Sequence, residues 1–496
     1  MRRLVICVLP LAFFAACNGD VTNAPSDPDA ASFRPPAGGK ATTTPRDPGA
    51  GDGGGALPEA TAPNPDGGAP IGRTPYVDFQ VNHVLITGQS NAVALSGTPV
   101  LSRTQVRKNL MFDTGVMSAS GCDGSGCRTY QPPTSFRPLV EGDKFFSWPV
   151  ETISSGMANE ITRLAAGKTG PQPDHQVLAS VHGRSGTTYW CLRKGGCNYH
   201  PGYLSPFAQG LMEVSSAKAI AAANNQSYVV RAVAAIHGES DHYSYTFGSQ
   251  EFPLDGSDGT PGKLATYADA MLEWQADYES SVRAITGQSL AVPLFISQIS
   301  GWNDTTYSKV AQFQLEAHAR APGKVVLIGP TYMLDVDERD CRHFMGVGEQ
   351  QLGEYFAKVY ARVVFDGLPW EPLRPKTVTR DGVSLKVDFL VPAPPLAIDT
   401  TLVNEAQSYG FTYVDAAGVE VPISGVALDG PTGVKITFTG PPPAGGHLRY
   451  AQNQVAQTCI GPQVGARGNL RDSDATPSEN GYALYNWAVH FDVAVP

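Results

Sequence analysis

Short runs rich in β-branched residues, none of them alternating, recur after residue 80: HVLIT at 83–87, QVLASV at 176–181, YVVRAVAAI at 228–236, VPLFIS at 292–297 and VVLIG at 325–329. A strand with one wet face alternates apolar with polar, so runs of this kind predict strands buried on both faces. Between them apolar residues fall three or four apart. The clearest case is Leu264, Tyr267, Met271, Trp274, Tyr278, Val282 and Ile285, followed by Leu352, Tyr355, Phe356, Val359 and Val363, and that spacing predicts amphipathic helices. Strands alternating with helices predict an α/β domain over residues 76–371, a three-layer arrangement with about five parallel strands. After WEPLRP at 370–375 the period becomes two: Leu385, Val387, Phe389 and Val391; Val434, Ile436 and Phe438; Trp487, Val489, Phe491, Val493 and Val495. That half-buried pattern predicts an antiparallel β-sandwich of accessory role over residues 372–496.

The amino-terminal segment changes the picture. Residues 1–17, MRRLVICVLPLAFFAAC, join two arginines to an apolar stretch from Leu4 to Phe14, too short to span a bilayer as a mature helix, and read as an export signal. Cys17 directly after Ala15-Ala16 resembles the bacterial lipoprotein box. The resemblance implies lipidation of Cys17 and a membrane-anchored protein at the outer membrane or cell surface of a bacterium, touching the membrane only through that anchor. Residues 18–75 are Gly, Pro, Ala, Asp and Thr with almost nothing apolar to bury, which predicts a disordered tether. A formal charge of −10 excludes nucleic acid as a natural ligand.

With Cys7 lost in the signal and Cys17 lipidated, six cysteines stay in the exported chain, and an even number there points to disulfides. Short spacing favours Cys122 with Cys127 and Cys191 with Cys197, leaving Cys341 and Cys459 to pair by elimination. Neither close pair has the CxxC spacing of structural zinc.

The first strand runs straight into Gly88-Gln89-Ser90-Asn91, which puts Ser90 at the carboxyl edge of the sheet, where ligands bind in open α/β folds. The second strand leads to His182-Gly183-Arg184-Ser185-Gly186-Thr187-Thr188-Tyr189-Trp190, and the third to His237-Gly238-Glu239-Ser240-Asp241. Three polar, glycine-containing loops therefore meet at one edge. Asp340-Cys341-Arg342-His343 follows, just before a helix from about Val347; an Asp and a His three apart can serve one site as a base and its orienting carboxylate.

Together these blocks resemble the SGNH hydrolases, specifically the sialate O-acetylesterase-like branch of carbohydrate acetylesterases. GQSN at 88–91, SGTTYW at 185–190 against GGTxxxxW, HGESD at 237–241 against QGESD, and DCRH at 340–343 against DxxH match in order across residues 83–365. The resemblance implies a flavodoxin-like α/β/α domain that hydrolyses acetyl esters on a carbohydrate, without metal or cofactor. It implies Ser90 as nucleophile, His343 as general base and Asp340 as its orienting group. The oxyanion would be held by the backbone N–H groups of Ser90 and Gly186, with Ser240 where many members carry Asn. Gln89, Arg184, Trp190, His237 and Glu239 are the candidate substrate contacts, His237 standing where the branch commonly has Gln. Two other readings of the residues are an esterase or lipase on small acyl or polyester substrates, and a non-catalytic surface carbohydrate-binding lipoprotein.

Overall fold

All eight residues from Val81 to Gly88 are buried, as a strand covered on both faces requires. The computed structural model describes residues 75–496 except 118–120, 124–125, 129, 146–147, 198–203, 248–251, 303–304, 306, 454 and 456–457, and except the side chains of 121–123, 126–128, 144–145 and 244–247. The leader at 1–17, Cys17 and the tether up to residue 74 lie outside the described residues, as do the side chains of Cys122 and Cys127.

That first strand, β1, lies in a seven-stranded sheet with β2 (Leu110–Phe112), β3 (Phe136–Pro138), β4 (Val177–Val181), β5 (Tyr228–Ile236), β6 (Leu294–Gln298) and β7 (Val325–Pro330), in the order β7-β6-β5-β1-β4-β2-β3. The strands β4, β1, β5, β6 and β7 are parallel throughout. Counted among themselves they follow the 2-1-3-4-5 order of a doubly wound sheet. β2 adds a parallel edge and β3 an antiparallel one. The hydrophobic pattern predicts only the five, because β2 and β3 are three residues each in a Pro- and Gly-rich stretch and leave no run to read.

Parallel crossovers are right-handed, so the reversal of direction after β4 sends helices to both faces. On one side α1 (Ile153–Ala166) packs on α7 (Gly346–Tyr360); on the other α3 (Pro206–Ala223), α5 (Tyr267–Thr286) and α6 (Lys309–Arg320) pack in sequence. The short helices α2 (Tyr189–Leu192) and α4 (Glu239–Phe247) open directly from the loops after β4 and β5. The α1–α7 crossing is close enough that a Cβ on Gly353 would sit 2.4 Å from the Ile153 carbonyl oxygen, so glycine is required there. The helical spacing begins at Leu264, but α5 starts at Tyr267. Leu264 instead pairs with Leu254 in a β-bridge, while Asp269 accepts a bond from the Thr266 N–H at 2.9 Å and closes the helix start.

The carboxyl-terminal part holds two four-stranded antiparallel sheets and a two-stranded pairing of Ala397–Ile398 with Leu470–Arg471. β8 (Arg374–Asp381), β9 (Ser384–Leu390), β12 (Ile423–Asp429) and β13 (Gly433–Phe438) are ordered β8-β9-β13-β12, and β10 (Phe411–Val414), β11 (Glu420–Val421), β14 (His447–Tyr450) and β15 (Phe491–Ala494) are ordered β11-β10-β14-β15. Ring contacts of Tyr413 with Phe438 at 5.4 Å and of Phe389 with Phe491 at 6.2 Å join their inner faces. Trp487 and Val489, expected within the last strand, are buried ahead of it. Their segment instead docks on the α/β part: the His490 N–H donates to Gln298 Oε1 at 2.8 Å, and Tyr332 donates to the Ala488 carbonyl at 2.7 Å. Disulfides join Cys191 to Cys197 and Cys341 to Cys459. Cys122 and Cys127 face each other in a two-stranded backbone pairing.

Three buried carboxyls lie near one another, Glu141 and Glu151 ahead of α1 and Glu349 in the first turn of α7. Glu141 accepts from the Thr152 and Ser155 N–H groups, and Glu151 from those of Leu101 and Ser102. Neither oxygen of the fully buried Glu349 has a hydrogen-bond partner among the described residues. Burial first, then the charges of Glu141 and Glu151, push the Glu349 pKa well up. A carboxyl raised on folding contributes stability that is complete below its unfolded pKa and is lost as pH rises through its folded one. Glu349→Gln should therefore flatten the fall of Tm between pH 5 and 9, with a gain of about 1–3 °C at pH 8. Differential scanning calorimetry across that range checks it; parallel profiles for the two proteins would count against the argument.

Candidate active site

β1 ends in a turn that only glycine permits. Gly88 has φ +133°, and a Cβ there would lie 2.0 Å from the Ile236 carbonyl oxygen at the end of β5. The Gln89 N–H donates to that same oxygen at 3.1 Å, and the Arg184 N–H donates to the Gly88 carbonyl at 2.8 Å. The loops after β4 and β5 are thus stitched to the turn that presents Ser90.

The third piece arrives from beyond β7. Residues 337–343 close on themselves: the Asp337 N–H donates to the His343 carbonyl at 2.8 Å and the Cys341 N–H to the Asp337 carbonyl at 2.7 Å. Asp340 Oδ1 accepts from the N–H groups of Arg342 at 3.0 Å and His343 at 3.1 Å. Its Oδ2 lies 2.7 Å from His343 Nδ1, and His343 Nε2 lies 2.7 Å from Ser90 Oγ. Burial alone would raise the Asp340 pKa; the His343 ring and the two backbone donors outweigh it and hold the carboxyl at about 2. This gives a hydroxyl on a base, and the base on a permanently charged carboxylate, the arrangement that makes a serine nucleophilic.

Two residues that the sequence left without a role complete it. Ser96 Oγ donates to Asp340 Oδ2 at 2.8 Å, so the run of turns from Ser90 to Ser96 also fixes the carboxylate. Asn91 accepts from the Phe344 N–H at 3.3 Å and donates to Glu239 Oε1 at 3.3 Å, tying the Ser90 turn to the His343 loop and to α4. Asn91 stands in the GQSN block, which was the available signal; Ser96 has none.

The other candidates separate into two groups. Gly186, at φ +66° with open space around it, lies on the loop bonded to Gly88. Glu239 is buried beside Asn91, its pKa raised by burial, and Oε2 has no hydrogen-bond partner among the described residues. Arg184 is buried and donates to the Leu204 carbonyl at 3.3 Å. Gln89 Oε1 accepts the Ser240 N–H at 3.0 Å, so Gln89 acts as a clamp on the β5 loop and the backbone N–H of Ser240 is already used.

His237 stands behind the site. Its Nδ1 bonds the Tyr267 hydroxyl at 2.7 Å and its Nε2 the Thr187 carbonyl at 3.1 Å, and burial pushes its pKa down to about 4. With both nitrogens occupied it props the Gly186 loop and cannot meet a substrate as expected. Tyr189 is core, its hydroxyl on Glu273 at 2.8 Å. The Trp190 ring, half-buried, is covered by the Arg193 guanidinium at 3.9 Å.

No family model and no curated protein matches the chain. Among solved structures it is similar to a carbohydrate acetylesterase from Xanthomonas citri, with 12% identity over 83% of this chain and 80% of that one and a TM-score of 0.47. A protein from Arabidopsis thaliana has 12% identity over 56% of this chain and 97% of its own, with a TM-score of 0.34. A carbohydrate acetylesterase from Sinorhizobium meliloti has 10% identity over 57% and 98%, with a TM-score of 0.27. Likeness this loose leaves the chemistry to be read from the Ser90, His343 and Asp340 geometry itself.

Cys341, between the two loop residues, has φ +65° and is bound to Cys459 on the segment that follows the sandwich strand β14. Cys459→Ser should therefore cost about 2–5 kcal/mol of stability and speed amide exchange selectively at Arg342 and His343. Calorimetry and exchange mass spectrometry read the two effects. Unchanged exchange in the loop would mean that its own backbone bonds suffice to hold it.

Proposed function

We propose that this chain is an exported serine esterase of the SGNH type that removes O-acetyl groups from a carbohydrate through an acyl-enzyme. The observation that carries this reading is the unbroken hydrogen-bonded line Ser90 Oγ, His343 Nε2, His343 Nδ1, Asp340 Oδ2 with both links at 2.7 Å. The order of the four motif blocks supports the acetylesterase branch, and the pattern of residues 1–17 supports export and anchoring through Cys17.

In the first half-reaction Ser90 Oγ attacks the acetyl carbonyl carbon as its proton passes to His343 Nε2. Charge collects on the carbonyl oxygen, where the N–H groups of Ser90 and Gly186 serve as donors. The tetrahedral adduct collapses, the C–O bond to the sugar breaks, and His343 Nε2 returns the proton to the leaving sugar oxygen. Water then attacks acetyl-Ser90 with His343 as base, releasing acetate and restoring the hydroxyl. Throughout, the Asp340 carboxylate stays ionised and stabilises the imidazolium. Glu239 Oε2 is the candidate contact for a substrate hydroxyl.

Ser90→Ala and His343→Ala should each lower kcat at least about a thousandfold with Tm preserved, because the members of such a unit fail together. Asp340→Asn should cost as much or less. Acetate release from acetylated polysaccharides, run beside p-nitrophenyl acyl esters, is the assay; wild-type turnover in Ser90→Ala would overturn the nucleophile. Activity limited to long-chain or polyester substrates would overturn the carbohydrate assignment.

The base here is a side chain, so EDTA should leave the rate unchanged. A loss in EDTA restored by a divalent cation would point to metal-assisted hydrolysis.

A further inference from the structure

Between Asp472 and Asn486 the chain makes an excursion and returns to where it began. The Asp472 N–H donates to the Asn486 carbonyl at 3.0 Å, and Asn486 donates its N–H to Asp472 Oδ1 at 2.9 Å and its Nδ2 to Oδ2 at 2.6 Å, so a buried neck closes the two ends. Residues 473–485 are then a compact loop with its ends together, a form that is frequently functional. Lys358 of α7 fixes its two legs from within: Nζ reaches Asp474 Oδ2 at 3.1 Å and Asn486 Oδ1 at 2.6 Å and bonds the Leu484 carbonyl. The far part of the loop is tied to the helices, the Glu479 N–H donating to Glu160 Oε2 at 3.0 Å and the Asn480 N–H to Glu354 Oε1 at 3.1 Å.

Against these legs lies a cavity of about 450 Å³, large enough for a small-molecule site, with Arg471, Asp474, Ala475, Ala483 and Tyr485 in its lining. Its charges are already paired, Arg471 Nε with Asp399 Oδ2 at 2.7 Å and Asp474 with Lys358. Two polar ends are not used: Arg471 Nη2 and the Tyr485 hydroxyl have no hydrogen-bond partner among the described residues. The Arg471 guanidinium lies over the Tyr485 ring at 3.7 Å, which sets the two relative to each other. A matching ligand carries no net charge, offers hydroxyls to an N–H donor and to a phenol that gives or accepts, and lays C–H surface on the alanine methyls. A saccharide unit meets all three conditions. We propose that this cavity is a non-catalytic saccharide site, which holds a second stretch of the glycan whose ester is cleaved at Ser90. The inference rests on the acetylesterase reading above and adds to it where the polymer is held. Lys358 stands about 18 Å along α7 from Gly346 at roughly 1.5 Å per residue, so only a chain long enough to reach both places gains from the second contact.

Affinity gel electrophoresis of the full chain in xylan, glucomannan and pectin, each acetylated and deacetylated, tests it beside steady-state kinetics. Ala475→Trp fills the cavity from an exposed position without removing any of these bonds, and Tyr485→Phe removes the hydroxyl alone. The wild-type chain should be retarded by at least one of these polymers, Ala475→Trp should bind it about five- to tenfold more weakly, and Tyr485→Phe should fall between. On the acetylated form of that polymer, Ala475→Trp should raise KM by a similar factor with kcat within twofold, while p-nitrophenyl acetate turnover stays within twofold.

No retardation by any of the three polymers would overturn the site. So would equal retardation of the wild-type chain and Ala475→Trp, or an equal loss on polymer and p-nitrophenyl acetate, which would make the loop a support for the body of the protein. Calorimetry shows whether Ala475→Trp keeps its fold, and Tyr485→Phe carries the test if it does not. Failure of the underlying reading shows separately: a wild-type chain that is retarded by a glycan but releases acetate from none would overturn the acetylesterase and its link to this cavity, while weaker retardation of Ala475→Trp would still uphold the saccharide site.

Discussion

Everything at the site hangs on the contact between Gly88 and the Ile236 carbonyl. β1 and β5 run side by side in parallel register up to that point, where Gly88 pairs with Ile236. The absence of a side chain lets the chain turn upward against β5 rather than splay from it. The Gln89 N–H then takes the Ile236 oxygen, and Gln89 Oε1 takes the Ser240 N–H, so backbone and side chain of one residue lock the turn to the neighbouring loop. Any larger residue at 88 would shift Ser90 by more than the tolerance of a 2.7 Å bond to His343.

Charge is distributed around this turn by burial and pairing. Asp340 has an imidazole and two backbone donors and is held low. Glu239 and Asp241, on α4, are buried with no Lys or Arg partner among the described residues: burial pushes Asp241 up to about 7, even though the Tyr189 N–H bonded to it works the other way. Partners thus favour the charged form of Asp340, while burial disfavours charge on Glu239 and Asp241.

The sequence and the structure agree where a feature is local and diverge where it is tertiary. β1 and β4 to β7 were legible because strands buried on both faces leave non-alternating runs; β2 and β3 leave none. Ser90, Asp340 and His343 were legible because each sits in a short block tied to the end of a strand or the start of a helix. His237 and Gln89 occupy the same glycine-containing blocks, yet the structure uses them as internal props. A polar side chain next to a glycine looks identical in sequence whether it points to the cleft or to a backbone group. Ser96 bonds a partner 244 residues distant, a separation that no local pattern reports.

The second half of the chain is bound to the first by more than a linker. His490 is fully buried, its Nε2 2.7 Å from Ser300 Oγ and its Nδ1 2.6 Å from the Ala451 carbonyl, so one side chain joins the loop after β6 to the end of β14. Burial pushes its pKa down to about 3, so it spans that junction as a neutral ring. Gln298 bonds both the N–H and the carbonyl of His490, and Lys358 on α7 reaches Asn486 and Asp474. These polar groups are buried or nearly so and would lose their partners without the carboxyl-terminal segment, which is costly for each. The Cys341–Cys459 bond adds a covalent tie at the loop that carries Asp340 and His343. The carboxyl-terminal half is therefore joined to the first both through buried polar groups and, at the loop of Asp340 and His343, covalently.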